Sequence, residues 1–197
     1  MTKVVTSSAP RTQRSPHVIA AVLAVWGFGY ACYRAYYAAG GTFGLIGKPV
    51  SASLFQAINA LGAAIILVAA LLPLIATRVR WLRRTVPVLG WLGGVGCCMH
   101  ALVDTTLRVL SVTGVQPTEL PSSAWQYFDR RAADLQDLLL NEPWFFVEGL
   151  LWAALALSLT SPHRRRMWSV TASVACLLLS VVGVLSGIGV IGSFHLG

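Results

Sequence analysis

Long apolar runs alternate with short polar connections along this chain. Five of the runs are long enough to cross a bilayer, and they cover residues 17–39, 51–76, 86–112, 143–160 and 167–191. At about 1.5 Å rise per residue, helices of about 18 to 27 residues reach about 27 to 40 Å, against a hydrocarbon core of about 30 Å. The runs lack the alternation of barrel strands, and lipid admits only helices and closed barrels. The pattern predicts an all-α polytopic bundle of five transmembrane helices, with residues 17–197 as one membrane domain.

Two polar segments carry further predictions. Residues 1–16 are rich in Ser, Thr and Pro, which indicates a disordered tail. In the connection between the third and fourth runs, Pro121-Ser122-Ser123 is a plausible helix start, and apolar residues then recur at helical spacing: Trp125, Phe128, Ala132, Leu135 and Leu139. We expect an amphipathic helix at about 122–140 on the membrane surface, or alternatively an ordinary helix in a soluble loop. Asn141 is expected to cap the fourth span.

Composition and charge agree with a membrane protein. Of the 197 residues, 56% are hydrophobic and 11% are charged, whereas a soluble domain has about 25% charged residues. The net charge is +8, but the basic residues lie in short clusters between the runs, which argues against a nucleic-acid partner. Basic residues concentrate on one side of the predicted topology: Lys3, Arg11, Arg14, Arg78, Arg80, Arg83, Arg84, Arg164, Arg165 and Arg166. The positive-inside rule then places the N-terminus in the cytoplasm and the C-terminus outside, in a bacterial cytoplasmic membrane.

Motifs for cofactors are not evident in the sequence. The four cysteines lie in apolar runs without a C-x-x-C pair, and the histidines have no partner at zinc-finger spacing. We therefore predict no metal and no cofactor. The expected partners are the lipid bilayer and a small amphiphilic molecule, and the oligomeric state stays open.

Gly90 with Gly94, and Gly183 with Gly187, form G-x-x-x-G pairs that favour close helix packing, within the chain rather than between copies.

A stripe of ionisable residues runs through the third span. His100, Asp104 and Arg108 follow at i, i+4 and i+8, so they share one helix face. Charge at membrane depth is costly and often marks function. Four further polar residues from other spans are expected at compatible depths: Arg34, Gln56, Asn59 and Glu148.

These residues predict a polar cavity that opens toward the outer side and is walled by aromatic side chains. The candidate catalytic residues are His100, Asp104 and Glu148. The candidate binding residues are Arg34, Tyr30, Tyr37, Gln56, Asn59 and Arg108.

Three functions are compatible with such a cavity. We expect an integral membrane protein that binds or transports a small amphiphile. A first alternative is an intramembrane acid–base enzyme, of isomerase or cyclase type, acting on an isoprenoid or sterol-like substrate, because carboxylates and a histidine suffice for proton transfer. A second alternative is a structural subunit of a membrane complex, in which the charges only fix helix packing.

Two short segments resemble a family of small actinobacterial multi-span membrane proteins: Tyr36-Tyr37-Ala38-Ala39-Gly40-Gly41-Thr42-Phe43-Gly44-Leu45 and Asn141-Glu142-Pro143-Trp144-Phe145-Phe146-Val147-Glu148-Gly149-Leu150-Leu151. That resemblance implies a multi-span fold and no particular activity. His100-x-x-x-Asp104 and Glu148-Gly149 are also distantly similar to the H-x-x-x-E-G element of the emopamil-binding isomerase superfamily, although here the two parts lie on different spans. This second similarity implies proton transfer in a membrane cavity by His100, Asp104 and Glu148.

Overall fold

Helices dominate the computed structural model, which describes residues 15–117 and 123–191. There are six α-helices in these residues: α1 (Pro16–Ala38), α2 (Ala52–Arg78), α3 (Val86–Val112), α4 (Arg130–Gln136), α5 (Glu142–Leu159) and α6 (Pro162–Gly187). A π-helical turn at Asp137–Asn141 joins α4 to α5, and a 3₁₀ turn at Leu82–Arg84 precedes α3. Two short strands, β1 (Gly47–Pro49) and β2 (Trp125–Phe128), pair antiparallel.

Five helical segments are long and apolar enough to span a membrane, which confirms the predicted all-α polytopic bundle. They are α1, α2, α3, the continuous stretch Arg130–Leu159, and α6. Large apolar side chains cover the outside of these helices; Val25, for example, is 74% exposed and Leu178 is 62% exposed. Such a surface is typical of contact with lipid rather than water. The sidedness of the two termini stays a prediction.

The helices associate in two pairs with α6 at the periphery. Helix α1 packs along α2, α3 packs along α5, and α1 also contacts α5 and so joins the pairs. The buried core comprises Ala20, Leu23, Ala76, Val86, Trp152 and Leu155, contributed by all four of these helices. Helix α6 packs on α3, and only 6% of its most apolar stretch is buried. The polar face of α3 meets the α4–α5 segment.

Glycines allow α3 and α5 to approach closely. A Cβ atom at Gly90 would lie 2.6 Å from the Cβ of Ala156, and one at Gly149 would lie 3.0 Å from the backbone nitrogen of Cys98. On the other side of α3, Gly183 and Gly187 of α6 face α3 side chains equally closely. Both G-x-x-x-G pairs thus meet helices of the same chain.

The two ends of the bundle differ in structure and charge. At one end, here called the ribbon end, β1 and β2 form a two-stranded ribbon in which Gly47 lies opposite Phe128. A Cβ atom at Gly47 would overlap the backbone of β2, so glycine is required there. The other end, here called the basic end, carries the predicted arginine clusters: Arg78, Arg80, Arg83, Arg84, Arg164, Arg165 and Arg166.

The connection between α3 and α5 differs from the predicted surface helix at 122–140. Residues Trp125–Phe128 form β2, and the helix begins only at Arg130, where Asp129 Oδ1 accepts a hydrogen bond from Ala132 N at 3.0 Å. Aromatic residues favour strands, and the ribbon satisfies their backbone groups. The helix then continues into the membrane, so Asn141 is not an N-cap but a residue within the π-helical turn. Residues 1–14, which include nearly all of the predicted tail, and the predicted start at 121–122 lie outside the described residues.

Candidate functional site

The polar face of α3 meets the α4–α5 segment in the half of the bundle nearer the ribbon end. Six ionisable residues gather there and are called the acidic cluster below: His100, Asp104, Arg108, Asp134, Asp137 and Glu142. The three members on α3, His100, Asp104 and Arg108, are four residues apart and therefore lie on one face of the helix. His100 Nε2 lies 3.7 Å from Asp104 Oδ2 within that helix.

Arg108 connects α3 to two carboxylates of the facing segment. Its Nε atom lies 2.8 Å from Asp137 Oδ2, and its Nη1 atom lies 3.7 Å from Asp134 Oδ1. Asp134 is almost fully buried and also accepts a hydrogen bond from the Ser111 hydroxyl. Asn141 Nδ2 donates to Asp137 Oδ1 at 2.7 Å. Buried charges of this kind are retained where they are paired and hydrogen-bonded.

The π-helical turn decides which carboxylates face α3. In a regular α-helix, Asp137 and Glu142 would be rotated about 140° apart, because five residues exceed one turn of 3.6 residues. In the structure Glu142 N–H bonds to the carbonyl of Asp137, five residues back. This wider turn brings both carboxylates to the α3 side of the segment. Single π-helical turns within α-helices are frequent at functional sites.

His100, Asp104 and Glu142 form the most compact part of the acidic cluster. His100 Nε2 lies 3.9 Å from Glu142 Oε2, and one ligand atom from each of the three residues lies within 4.8 Å of the others. Glu142 has a side chain 3% exposed, whereas His100 has one 46% exposed. The group is therefore closed on the α5 side and open at His100.

An aromatic wall borders the acidic cluster. The Phe145 ring meets the His100 ring edge-on, with centroids 4.7 Å apart. Tyr30 contacts Phe145 and donates its hydroxyl hydrogen to Asn141 Oδ1 at 3.3 Å. Trp144 stacks on Trp26 with centroids 4.2 Å apart. Helix α1 thereby reaches the cluster through Tyr30.

A separate cavity lies between α1, α2 and the ribbon. It has a volume of about 220 Å³ and is called the Arg34 pocket below; its lining residues are Arg34, Ser51, Leu54, Phe55, Ile58, Asn59, Ser123, Ala124 and Trp125. Among the described residues, no carboxylate lies within 4.0 Å of the Arg34 guanidinium. Asn59 is 1% exposed, and its Nδ2 donates to Phe55 O at 2.8 Å. Its Oδ1 has no hydrogen-bond partner in residues 15–117 and 123–191.

The remaining predicted site residues belong to neither group, although the Tyr37 ring meets the Phe55 ring of the Arg34 pocket edge-on. Glu148 is buried deeper on α5, where its Oε1 atom faces Gly27 of α1. No hydrogen bond or ion pair joins Glu148 to His100 or Asp104 within the part of the chain that the structure describes. Gln56 packs against Gly40, and Tyr37 donates to Phe43 O at 3.1 Å, so both support the α1–α2 loop.

The expected single cavity is thus divided between two places. His100, Asp104 and Arg108 lie together, with Tyr30 at their edge, whereas Arg34 and Asn59 line the Arg34 pocket. Sequence reasoning missed Asp134, Asp137 and Glu142 as members of a site. Asp134 and Asp137 are three residues apart, so they share one face of the predicted surface helix. On a helix lying on the membrane, that face would be turned to water and not to the other spans.

Comparisons with models of known protein families, with curated proteins and with solved structures find no match to this chain.

Proposed function

We propose that this membrane protein binds a small amphiphile with an anionic headgroup in the Arg34 pocket. One observation carries the proposal: among the described residues, a guanidinium with no carboxylate within 4.0 Å and a buried amide oxygen with no hydrogen-bond donor line the same cavity. Cations at membrane depth are normally paired, because lipid solvates them poorly. A carboxylate or phosphate matches the planar guanidinium, and a hydroxyl or N–H group of the ligand would satisfy Asn59 Oδ1.

The size and position of the pocket favour a headgroup rather than a whole ligand. Pockets that enclose complete small molecules have about 300 to 1,000 Å³, and this one has about 220 Å³. Leu54 and Ile58 at its rim are 56% and 53% exposed on the outside of α2. An acyl or isoprenoid tail would lie along these side chains in the bilayer, while the headgroup enters beside Arg34.

The charge distribution indicates from which leaflet the amphiphile would enter the Arg34 pocket. The basic end is expected in the cytoplasm by the positive-inside rule, so the ribbon end and the Arg34 pocket face the opposite side. We accordingly propose a multi-pass protein of the cell membrane that takes its amphiphile from the outer leaflet.

Binding of oleate to the full chain in a neutral detergent tests this proposal, with oleyl alcohol as the uncharged counterpart. Arg34→Gln should weaken oleate binding about 10- to 100-fold, since a hydrogen bond to a charged group contributes about 1.5–3 kcal/mol, and should leave oleyl alcohol unchanged. Lys48→Gln is the matched control, because Lys48 carries the same charge at the ribbon end but does not line the pocket. Equal loss in both variants, or oleate binding unaffected by Arg34→Gln, would refute the proposal.

A second candidate function is acid–base chemistry on a lipophilic substrate at the acidic cluster. The observation that favours it is the half-exposed imidazole of His100 beside two carboxylates and next to Phe145. A carboxylate can orient an imidazole and stabilise its charged form, which are the requirements for proton transfer. Glu142 lies beside His100 in the position that the sequence analysis expected for Glu148.

A further inference from the structure

The arrangement of His100, Asp104 and Glu142 has the chemistry of a metal site. We propose that these three residues bind one divalent transition-metal ion, with zinc as the probe. The proposal goes beyond amphiphile binding and does not rest on the Arg34 pocket. An imidazole nitrogen and two carboxylate oxygens are ligands that zinc, cobalt, manganese and ferrous iron share, whereas calcium prefers six to eight oxygens.

The distances between the ligand atoms are close to those that a metal requires. Tetrahedral zinc with bonds of about 2.0–2.2 Å separates its ligand atoms by about 3.3–3.6 Å. The nitrogen of His100 lies 3.7 Å from Asp104 Oδ2 and 3.9 Å from Glu142 Oε2. All three ligand atoms lie within 4.8 Å of one another, so side-chain rotations that move the carboxylate oxygens by about 1 Å would close the difference. His100 and Asp104, at i and i+4, also have the helical spacing found in metal-binding helices.

The buried carboxylate of Glu142 supplies an independent reason for a ligand. Its side chain is 3% exposed, and its Oε2 atom has no hydrogen-bond partner among the described residues. This is the same atom that faces His100. A buried acceptor without a partner costs free energy, more so if it is charged. A cation held between Glu142, Asp104 and His100 would satisfy that oxygen.

The charges around the site favour a cation as well. Within the described residues, the acidic cluster contains four carboxylates, one arginine and one histidine. Arg108 lies against Asp134 and Asp137. Asp104 and Glu142 are left on the His100 side, where a divalent ion would balance both.

Three protein ligands leave a fourth position for water or a substrate. Zinc sites with three protein ligands are typical of catalysis, whereas structural sites have four. The open position lies on the side where the His100 side chain is half exposed. A lipophilic molecule could therefore reach the ion without passing through the bundle.

The test uses the purified full chain, stripped with a chelator and then supplied with zinc chloride. After removal of free metal, we expect one zinc per chain by elemental analysis and a rise of several degrees in the thermal midpoint. His100→Asn, Asp104→Asn and Glu142→Gln should each abolish both effects. His163→Asn, a change to an exposed histidine in the first turn of α6, should retain them.

A folding defect is separated from a binding defect by the metal-free midpoints. Glu142→Gln removes a buried carboxylate while keeping its shape, so the metal-free variant should unfold at or above the wild-type midpoint. Cobalt chloride gives a second readout, because bound cobalt should show a visible absorption band that the His100 variant lacks. Absence of stoichiometric zinc in the wild type, or full retention of zinc in all three variants, would overturn the proposal.

Discussion

Replacement of Gly90 by alanine should destabilise the bundle, because Gly90 lies where α3 and α5 pack closely against each other. The new Cβ atom would lie 2.6 Å from the Cβ of Ala156 and 2.8 Å from the carbonyl oxygen of Trp152. Ordinary contact needs at least about 3.5 Å, so the helices must separate by nearly 1 Å. Overpacking of this kind costs about 1–3 kcal/mol, and the helix propensity of alanine offsets up to about 1 kcal/mol. We expect a net loss of about 1–2 kcal/mol.

The measurement is unfolding of the purified chain by sodium dodecyl sulfate in mixed micelles, followed by tryptophan fluorescence. Gly96→Ala is the matched control in the same helix. Among the described residues, no heavy atom other than those of its chain neighbours and its own helix backbone lies within 4 Å of the Cβ position at Gly96. The control should be neutral or slightly stabilised. Adding Ala156→Gly to Gly90→Ala should recover part of the loss, because the Trp152 carbonyl remains close. If Gly90→Ala is as stable as Gly96→Ala, the close packing of α3 on α5 is wrong.

Two further stability predictions use the same assay. Leu155→Ala should lower the free energy of unfolding by about 2–5 kcal/mol, because this leucine is fully buried in the core. Leu178→Ala, on the exposed side of α6, should change it by less than about 0.5 kcal/mol. Similar losses in both variants would contradict the burial pattern. Asp134→Ala should lower the free energy of unfolding by about 1–3 kcal/mol, because it removes the carboxylate that pairs with Arg108 and accepts a hydrogen bond from Ser111. An unchanged unfolding midpoint would argue against that buried contact.

The spans could be predicted from sequence because lipid imposes a simple rule on length and hydropathy. The third span was predicted at 86–112, the bounds that α3 has in the structure. The fourth span was predicted from 143, but its helix begins at Arg130, with Asp129 as its cap. The charged residues of α4 hid this extension. Among them, Asp134 is buried against Arg108 and Ser111 of α3 rather than turned to water.

The candidate site was only partly predictable for a similar reason. His100, Asp104 and Arg108 lie on one helix, so their proximity follows from the helical period alone. The pairing of Arg108 with Asp137 depends on contact between α3 and a segment distant in sequence, and the orientation of Glu142 depends on a π-helical turn. A regular helix, which is the default expectation, would turn Glu142 away from His100.

The division of the acidic cluster between α3 and the later α4–α5 segment has a consequence for biosynthesis. A ribosome delivers α3 to the membrane before the chain that carries Asp134, Asp137 and Glu142 has been made. During that interval the polar face of α3, including Arg108, lacks the carboxylates it contacts in the finished fold. Helix α3 is therefore expected to stay near the insertion machinery until the next transmembrane segment emerges, so that the two enter the bilayer together.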